Sequence, residues 1–388
     1  MPNLPDIDAA ASDLSAIFRD LHAHPELGLE EVRTAALVAE KLRAWGVDEV
    51  HEGVGRTGVV GLIRGKGQGN RRVGLRADMD ALPIQEATGL PHASTAPGQM
   101  HACGHDGHTT MLLGAARYLA ASRNFDGTAV LIFQPAEEGL GGARAMIADG
   151  LFQRFPVDEV YGLHNQPTGE LGRASLCKGA AMAGASFFDI TVTGKGSHAA
   201  MPQQSRDALV VASGLVGQFQ TILSRNVASL DQAVLSVTQI HAGAAYNVLP
   251  ETATLAGTLR FFRPEIRDLM QARMRALCDG AALAHDMSID VAFREIFDVL
   301  VNDDDLALAW TGAAADILGA ENVGEQPPVT GSEDFADMLQ LIPGAYGNLG
   351  HGGTVPLHNP GFVLDEGVLP IGASIYARLI ERRLPVAA

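Results

Sequence analysis

Cysteine is scarce in this sequence, basic residues do not cluster, and no apolar run is long. The three cysteines, Cys103, Cys177 and Cys278, are odd in number and far apart. That excludes a disulfide framework and points to a reducing cytoplasm. A membrane-spanning helix needs roughly 18–20 consecutive apolar residues, and no stretch approaches that length, so no membrane partner is expected. The opening MPNLPDIDAAASDL is acidic where a signal peptide would carry a basic and then an apolar segment. Formal net charge is −17. An acidic surface repels phosphate backbones, so no nucleic-acid partner is expected either. There is no internal repeat or low-complexity tract.

What is present is ordinary globular material: 388 residues, 47% apolar and 19% charged. This length fits two or three domain-sized units, or one domain interrupted by another. The thirteen histidines are more informative, because several fall in tight groups, His22/His24 and His101/His105/His108.

Apolar spacing predicts helices over 14–22 and 30–45, the second opening on Glu30 and Glu31 as a helix dipole would favour. Short apolar strands are expected at 59–64 and 72–77 across the turn GKGQGN, then a helix at 110–121 and buried strands at 128–134 and 160–164. This alternation is that of an α/β domain with a central, mostly parallel sheet. Near Gly179 the character changes. After the small-residue stretch GAAMAGAS come a strand (186–193), a helix (208–224), two strands (233–241, 251–261), a helix (265–284) and a strand (287–294). That β-α-β-β-α-β order is a ferredoxin-like α+β pattern. The expected organisation is therefore a catalytic α/β domain from 1–183 and 294–388, interrupted by an inserted domain at 184–293.

Residues that a cation would want cluster at strand ends, where open α/β sheets bind ligands. Cys103-Gly104-His105 offers a thiolate and an imidazole, suited to zinc and similar divalent ions, and nearby carboxylates widen the choice toward manganese. Cys103 could equally be a small buried hydrophobe, but the polar run from His101 to His108 argues against a core segment. Glu137 and Glu138 are adjacent carboxylates after a buried strand. Such a pair implies a cation nearby, one member ligating and the other acting as general base, unless EEG is simply a solvated turn. Asp78 and Asp80 read either as a turn cap or as carboxylates that orient a ligating histidine. Alone, His164 and His358 carry little; their value lies in completing a ligand set.

RADMDALP, MHACGHDGHTTMLLGAA, FQPAEEG, GLHN, GKGSHAAMP, NVLPE, GSEDF and LHNPGF occur in this order. Together they closely resemble the dinuclear aminoacylase and glutamate-carboxypeptidase family, in the branch with hippurate hydrolase and the auxin-conjugate amidohydrolases. The resemblance runs from about Arg19 to the C-terminus. It implies hydrolysis of the amide between an acyl group and an amino acid by a metal-activated water, with the inserted domain serving as a lid or dimerisation module. By motif, Cys103, His105, Glu138, His164 and His358 would hold two divalent ions per subunit (Mn2+ or Zn2+, with Co2+ or Ni2+ also compatible), Cys103 bridging them. Glu137 would be the general base and Asp80 the aspartate behind a ligand histidine. His198, from the lid of a partner subunit, would stabilise the oxyanion, and Asn247 and Arg260 would bind the substrate carboxylate. Most other branches carry a ligand histidine where this chain has Asp78, which leaves the role of Asp78 open. Homodimeric or larger homo-oligomeric assembly is expected.

Three alternatives remain at this level. One is a metallo-dipeptidase, carboxypeptidase or N-acetyl-diaminopimelate deacetylase. Another makes Cys103 a nucleophile with His101, His105 or His108 as base. The third is a silent binder of acyl amino acids.

Overall fold

The computed structural model describes residues 3–386, which fall into two compact units. The first comprises residues up to Gly179 together with Val301–Pro327 and those from Asp334 onward; the second comprises Ala180–Leu300 and Pro328–Glu333.

The first unit is built on an eight-stranded sheet. In spatial order its strands are β1 (Glu49–Val54), β2 (Gly58–Arg64), β4 (Thr128–Gln134), β3 (Arg72–Asp78), β5 (Glu159–Gln166), β12 (Gly344–Gly350), β6 (Ala174–Leu176) and β11 (Val323–Glu325). Its centre, β4-β3-β5-β12, is parallel throughout, which explains why β3 and β4 are buried on both faces. Helices α1 (Ala11–Ala23) and α2 (Val32–Ala44) bury one stripe each, Leu14, Ile17, Phe18 and Leu21 in α1 and Ala35, Val38, Ala39 and Leu42 in α2.

Helix α3 (His105–Ser122) differs from its expected range of 110–121 because it begins five residues earlier. Every residue from His105 to Ala116 is buried, so no polar stripe marks its first turn. Gly114 meets Ala373, and Gly372 meets Met111, where α3 packs on α7 (Val368–Arg383). Helix α6 (Asp304–Leu318), which also packs on α7, contributes the fully buried Trp310, whose Nε1–H donates to the carbonyl of Gly162 at 3.2 Å.

In the second unit β7 (Gly184–Thr193), α4 (Ala208–Arg225), β8 (Ala233–Ala242), β9 (Thr252–Phe261), α5 (Pro264–His285) and β10 (Ser288–Phe297) follow one another along the chain. The sheet order β8-β9-β7-β10, antiparallel throughout, is that of a ferredoxin-like sandwich. Phe188, Ile190, Leu215, Phe219, Leu259 and Met270 form its core. The borders differ from the expected 184–293. Strand β10 runs on to Phe297, and Pro328–Glu333 joins this unit because Val329 N–H donates to the Ala181 carbonyl at 2.9 Å. No hydrophobic pattern announces that short return. The GAAMAGAS stretch is also not a plain linker, since Gly179–Met182 is strand.

Candidate metal centre

The carboxyl ends of the central parallel strands carry the candidate residues. Asp78 ends β3, with Asp80 two residues on; Glu137 and Glu138 follow β4; His164 lies near the end of β5. Cys103 and His105 enter from the turn that starts α3, where Gly104 has φ +90°. His358, on the segment after β12, also adopts a left-handed φ of +62°, and Ala136, just before the glutamate pair, one of +53°. Non-glycine residues in that region cost on the order of 1–2 kcal/mol each and gather where function constrains the backbone.

These placements bring the side chains together. Donor atoms of Cys103, His105 and His164 lie within 4.8 Å of one another, as do those of Cys103, Glu138 and His358, and those of His105, Glu137 and Glu138. His164 Nδ1 donates to the Asn165 carbonyl at 2.6 Å, which directs Nε2 toward Cys103 Sγ, 3.6 Å away. His105 Nδ1 pairs with Asp80 Oδ1 at 3.2 Å, and its buried Nε2 has no hydrogen-bond partner. The other oxygen of Asp80 accepts from the Glu138 N–H at 3.0 Å. Glu138 Oε1 makes no aligned hydrogen bond, although His358 Nε2 lies 3.1 Å away. Glu137 is buried, and Oε1 accepts from the Asp334 N–H at 3.4 Å.

The electrostatics suit a cation. Burial pushes the Cys103 thiol up to about 12 and the His164 imidazole down to about 3. Burial also opposes charge on His105, yet Asp78, Cys103 and Asp80 together outweigh it and hold that ring well above the usual histidine range. A sulfur, two imidazoles and a carboxylate converge here; Asp80 and the Asn165 carbonyl hold Nδ1 of the two rings, and His105 Nε2 and Glu138 Oε1 make no hydrogen bond. That donor set fits divalent ions of the zinc or manganese kind.

Asp78, whose role the motif leaves open, is fully buried beside the cluster, with Oδ2 3.9 Å from His105 Nε2. Its Oδ2 accepts from Arg76 Nη1 at 2.6 Å and its Oδ1 pairs with His108 Nδ1 at 2.6 Å. Burial alone would raise its carboxyl; His105, Arg76 and His108 together hold it well below the usual carboxylate range. His108 Nε2 accepts the Asn165 N–H at 2.9 Å, so the proton of His108 sits on Nδ1 and goes to Asp78. Asn165 in turn donates to the Cys103 carbonyl at 2.5 Å. Arg76, His108 and Asn165 thus lock two segments that carry candidate ligands, a task that single-residue motif reading misses. Asp334 of GSEDF is equally structural here, accepting from Arg76, Gln134 and the Ala143 N–H.

The three histidines of the MHACGHDGH run have separate fates. His105 joins the cluster, His108 bonds Asp78, and His101 is buried with no hydrogen bond to either ring nitrogen. His105 and His164 both lie beside Cys103; the His105 ring lowers the thiol, but burial outweighs that effect.

His198, Asn247 and Arg260 belong to the second unit. His198 pairs with Val248 on a two-residue ribbon, and the Asn247 carbonyl accepts from Ala199 N–H at 3.0 Å, which puts His198 and Asn247 side by side. Arg260 lies on central strand β9, half-buried, beside a cavity of about 370 Å³ that Phe187, Asp189, Gln239 and Arg294 also line. It is not an edge charge.

Among the described residues no helix is long and apolar enough to cross a membrane. Three comparisons bear on the chain. The sequence profile of peptidase family M20/M25/M40 matches residues 74–382. A hippurate hydrolase of Campylobacter jejuni is 42% identical over 382 residues, covering 98% of this chain and 99% of the relative. An IAA-amino acid hydrolase of Arabidopsis thaliana is 41% identical over 377 residues, covering 95% and 84%. The solved structure of a dinuclear metal binding peptidase of the M20 family from Bacillus subtilis superposes with a TM-score of 0.86 at 33% identity, covering 98% of this chain and 100% of that one. With a profile match over most of its length and relatives this similar across nearly all of it, the chain belongs to peptidase family M20/M25/M40.

Proposed function

We propose that this protein is a metal-dependent amidohydrolase that cleaves the amide joining an acyl group to an amino acid. Cys103, His105, Glu138, His164 and His358 hold two divalent ions, and Glu137 is the general base. The observation that carries this reading is the convergence of unspent donor atoms around Cys103 beside a second, non-redundant glutamate. A structural site would be closed by four ligands and would need no such neighbour.

When bound, divalent ions polarise an amide carbonyl and make water easier to deprotonate. The chain's own residues do the rest. Glu137 takes the proton from the attacking water and returns it to the nitrogen of the departing amino acid. Asp80 fixes the tautomer of His105 and, through the Glu138 N–H, the position of the ligating glutamate. Burial of Cys103, His105 and Glu137 strengthens the interactions they make. In the second unit, Arg260 and Asn247 are assigned to the substrate carboxylate and His198 to the developing oxyanion. Homo-oligomeric assembly, with the second unit as lid or dimerisation module, and a cytoplasmic location belong to the same proposal, as do manganese or zinc as the resident metal, with cobalt or nickel also compatible.

The test is a panel of N-acyl amino acids, beginning with benzoyl-glycine, assayed after exhaustive chelation and after readdition of Mn2+, Zn2+, Co2+ or Ni2+. Hydrolysis should vanish on chelation and return with metal. Full activity in demetallated protein refutes the reading. A clear preference for dipeptides or for acetylated diaminopimelate reassigns the substrate within the same chemistry.

A further inference from the structure

Glu31 has no place in the motifs that name the metal cluster, and its position beside Val32, the first residue of α2, suggests only a favourable charge at a helix start. Its side chain does something else. The exposed N–H groups of α2 are met by Glu26, whose Oε1 accepts from Arg33 at 3.0 Å and whose Oε2 accepts from Thr34 at 2.7 Å. Glu31 is fully buried, and among the described residues its carboxylate has no cationic partner. Instead Oε1 accepts the Ala136 N–H at 2.8 Å and Oε2 accepts the Thr57 hydroxyl at 2.6 Å. A buried carboxylate without a counter-charge is costly to keep.

What it grips is the left-handed Ala136, the residue that turns the chain out of β4. A strand continued through this point would send Glu137 and Glu138 to opposite faces. The turn at Ala136 instead brings an oxygen of each within 4.8 Å of the other and of a His105 ring nitrogen. Gly28 packs against the same residue so closely that a Cβ there would lie 3.0 Å from both Ala136 Cα and Cβ.

We infer that Glu31 is a positioning residue for the catalytic glutamate pair: its carboxylate holds the strained Ala136 turn that aims Glu137 and Glu138 at the metal cluster. This rests on the proposed roles of those two glutamates. Glu31→Ala should lower kcat for benzoyl-glycine about 10- to 100-fold at saturating metal, the size of effect that a small misplacement of a reacting group produces. KM should change less than about threefold. Glu31→Gln should recover most of kcat, because its amide oxygen still accepts from Ala136 and its nitrogen can reach the Thr57 hydroxyl. Co2+ titration followed by visible absorption reads the Glu138 side without turnover: Glu31→Ala should weaken binding and alter the spectrum, while Glu31→Gln should overlay the wild type. If Glu31→Ala does not fold, the double variant Glu31→Ala/Ala136→Gly, in which glycine takes the positive φ without strain, should fold and give the Glu31→Ala pattern in milder form. Wild-type kcat and Co2+ spectrum in Glu31→Ala, or in that double variant, overturn the inference, as does a Glu31→Gln as impaired as Glu31→Ala. A wild-type protein that hydrolyses no acyl amino acid with any metal refutes the enzymatic reading instead, and the Co2+ comparison still decides the role of Glu31.

Discussion

His164 donates its Nδ1 proton to the Asn165 carbonyl at 2.6 Å and thereby turns Nε2 toward the sulfur of Cys103, 3.6 Å away. This is how a metal-binding histidine is usually prepared, with one nitrogen fixed by a backbone acceptor and the other presenting its lone pair. It also separates two readings of Cys103. A nucleophilic cysteine needs a base or a depressed pKa, whereas burial pushes this thiol up to about 12.

Alkylation follows from that. In chelated protein, iodoacetamide should label Cys103 no faster than the buried Cys177 and Cys278, and Cys103→Ser should lose bound metal together with activity. Rapid labelling of Cys103 in metal-free protein that is still active, with loss of that activity, would make it a nucleophile.

Gly104 is where the backbone leaves no room. Its φ is +90°, and an added Cβ would lie 2.4 Å from Asn165 Nδ2. Gly104→Ala should therefore displace the amide that holds the Cys103 carbonyl and strain the start of α3. We expect a loss of roughly 2–3 kcal/mol from the backbone and steric terms, read as a thermal midpoint several degrees lower, with a weakened metal affinity. An unchanged melting temperature and metal stoichiometry would count against this role.

Much of this was legible in the residues, and what was not has physical causes. Periodicity located β2 to β5 of the large sheet and all four strands of the second to within a few residues, but gave no range for β1, β6, β11 or β12, which are short, charged or glycine-rich. It missed the first turn of α3, since His105, Asp106 and His108 look like loop residues until Asp80, His22 and Asp78 are seen to satisfy them. It took Glu31 for a helix-start charge because nothing local shows that its carboxylate reaches residue 136. Motifs named the cluster's side chains, but only the folded chain shows that Asp78, beside His105, is held by Arg76 and His108. Single residues such as Arg76 and Asn165 carry no spacing signal at all.

His22 gives the fold a pH dependence. It is buried, with Nδ1 2.7 Å from Asp106 and Nε2 3.4 Å from Glu86. Burial alone would lower its proton affinity, but the two carboxylates outweigh it and push the ring up to about 9. Because the folded value is raised, the stabilisation is complete below the unfolded value of about 6.5 and fades as pH climbs through 9. The rise corresponds to on the order of 3 kcal/mol at most. Denaturant midpoints of wild type should fall between pH 6.5 and 9, and His22→Gln should flatten that fall. Parallel curves for the two proteins would show that His22 is neutral throughout.

The most direct measurement concerns Glu137. Glu137→Gln keeps the shape of the side chain and removes the group that takes the proton. Loaded with metal, this variant should bind the same number of ions as wild type and hydrolyse benzoyl-glycine, or whichever acyl amino acid wild type prefers, about 100- to 10,000-fold more slowly. Near-normal kcat with full metal content would contradict the account and remove Glu137 from the mechanism.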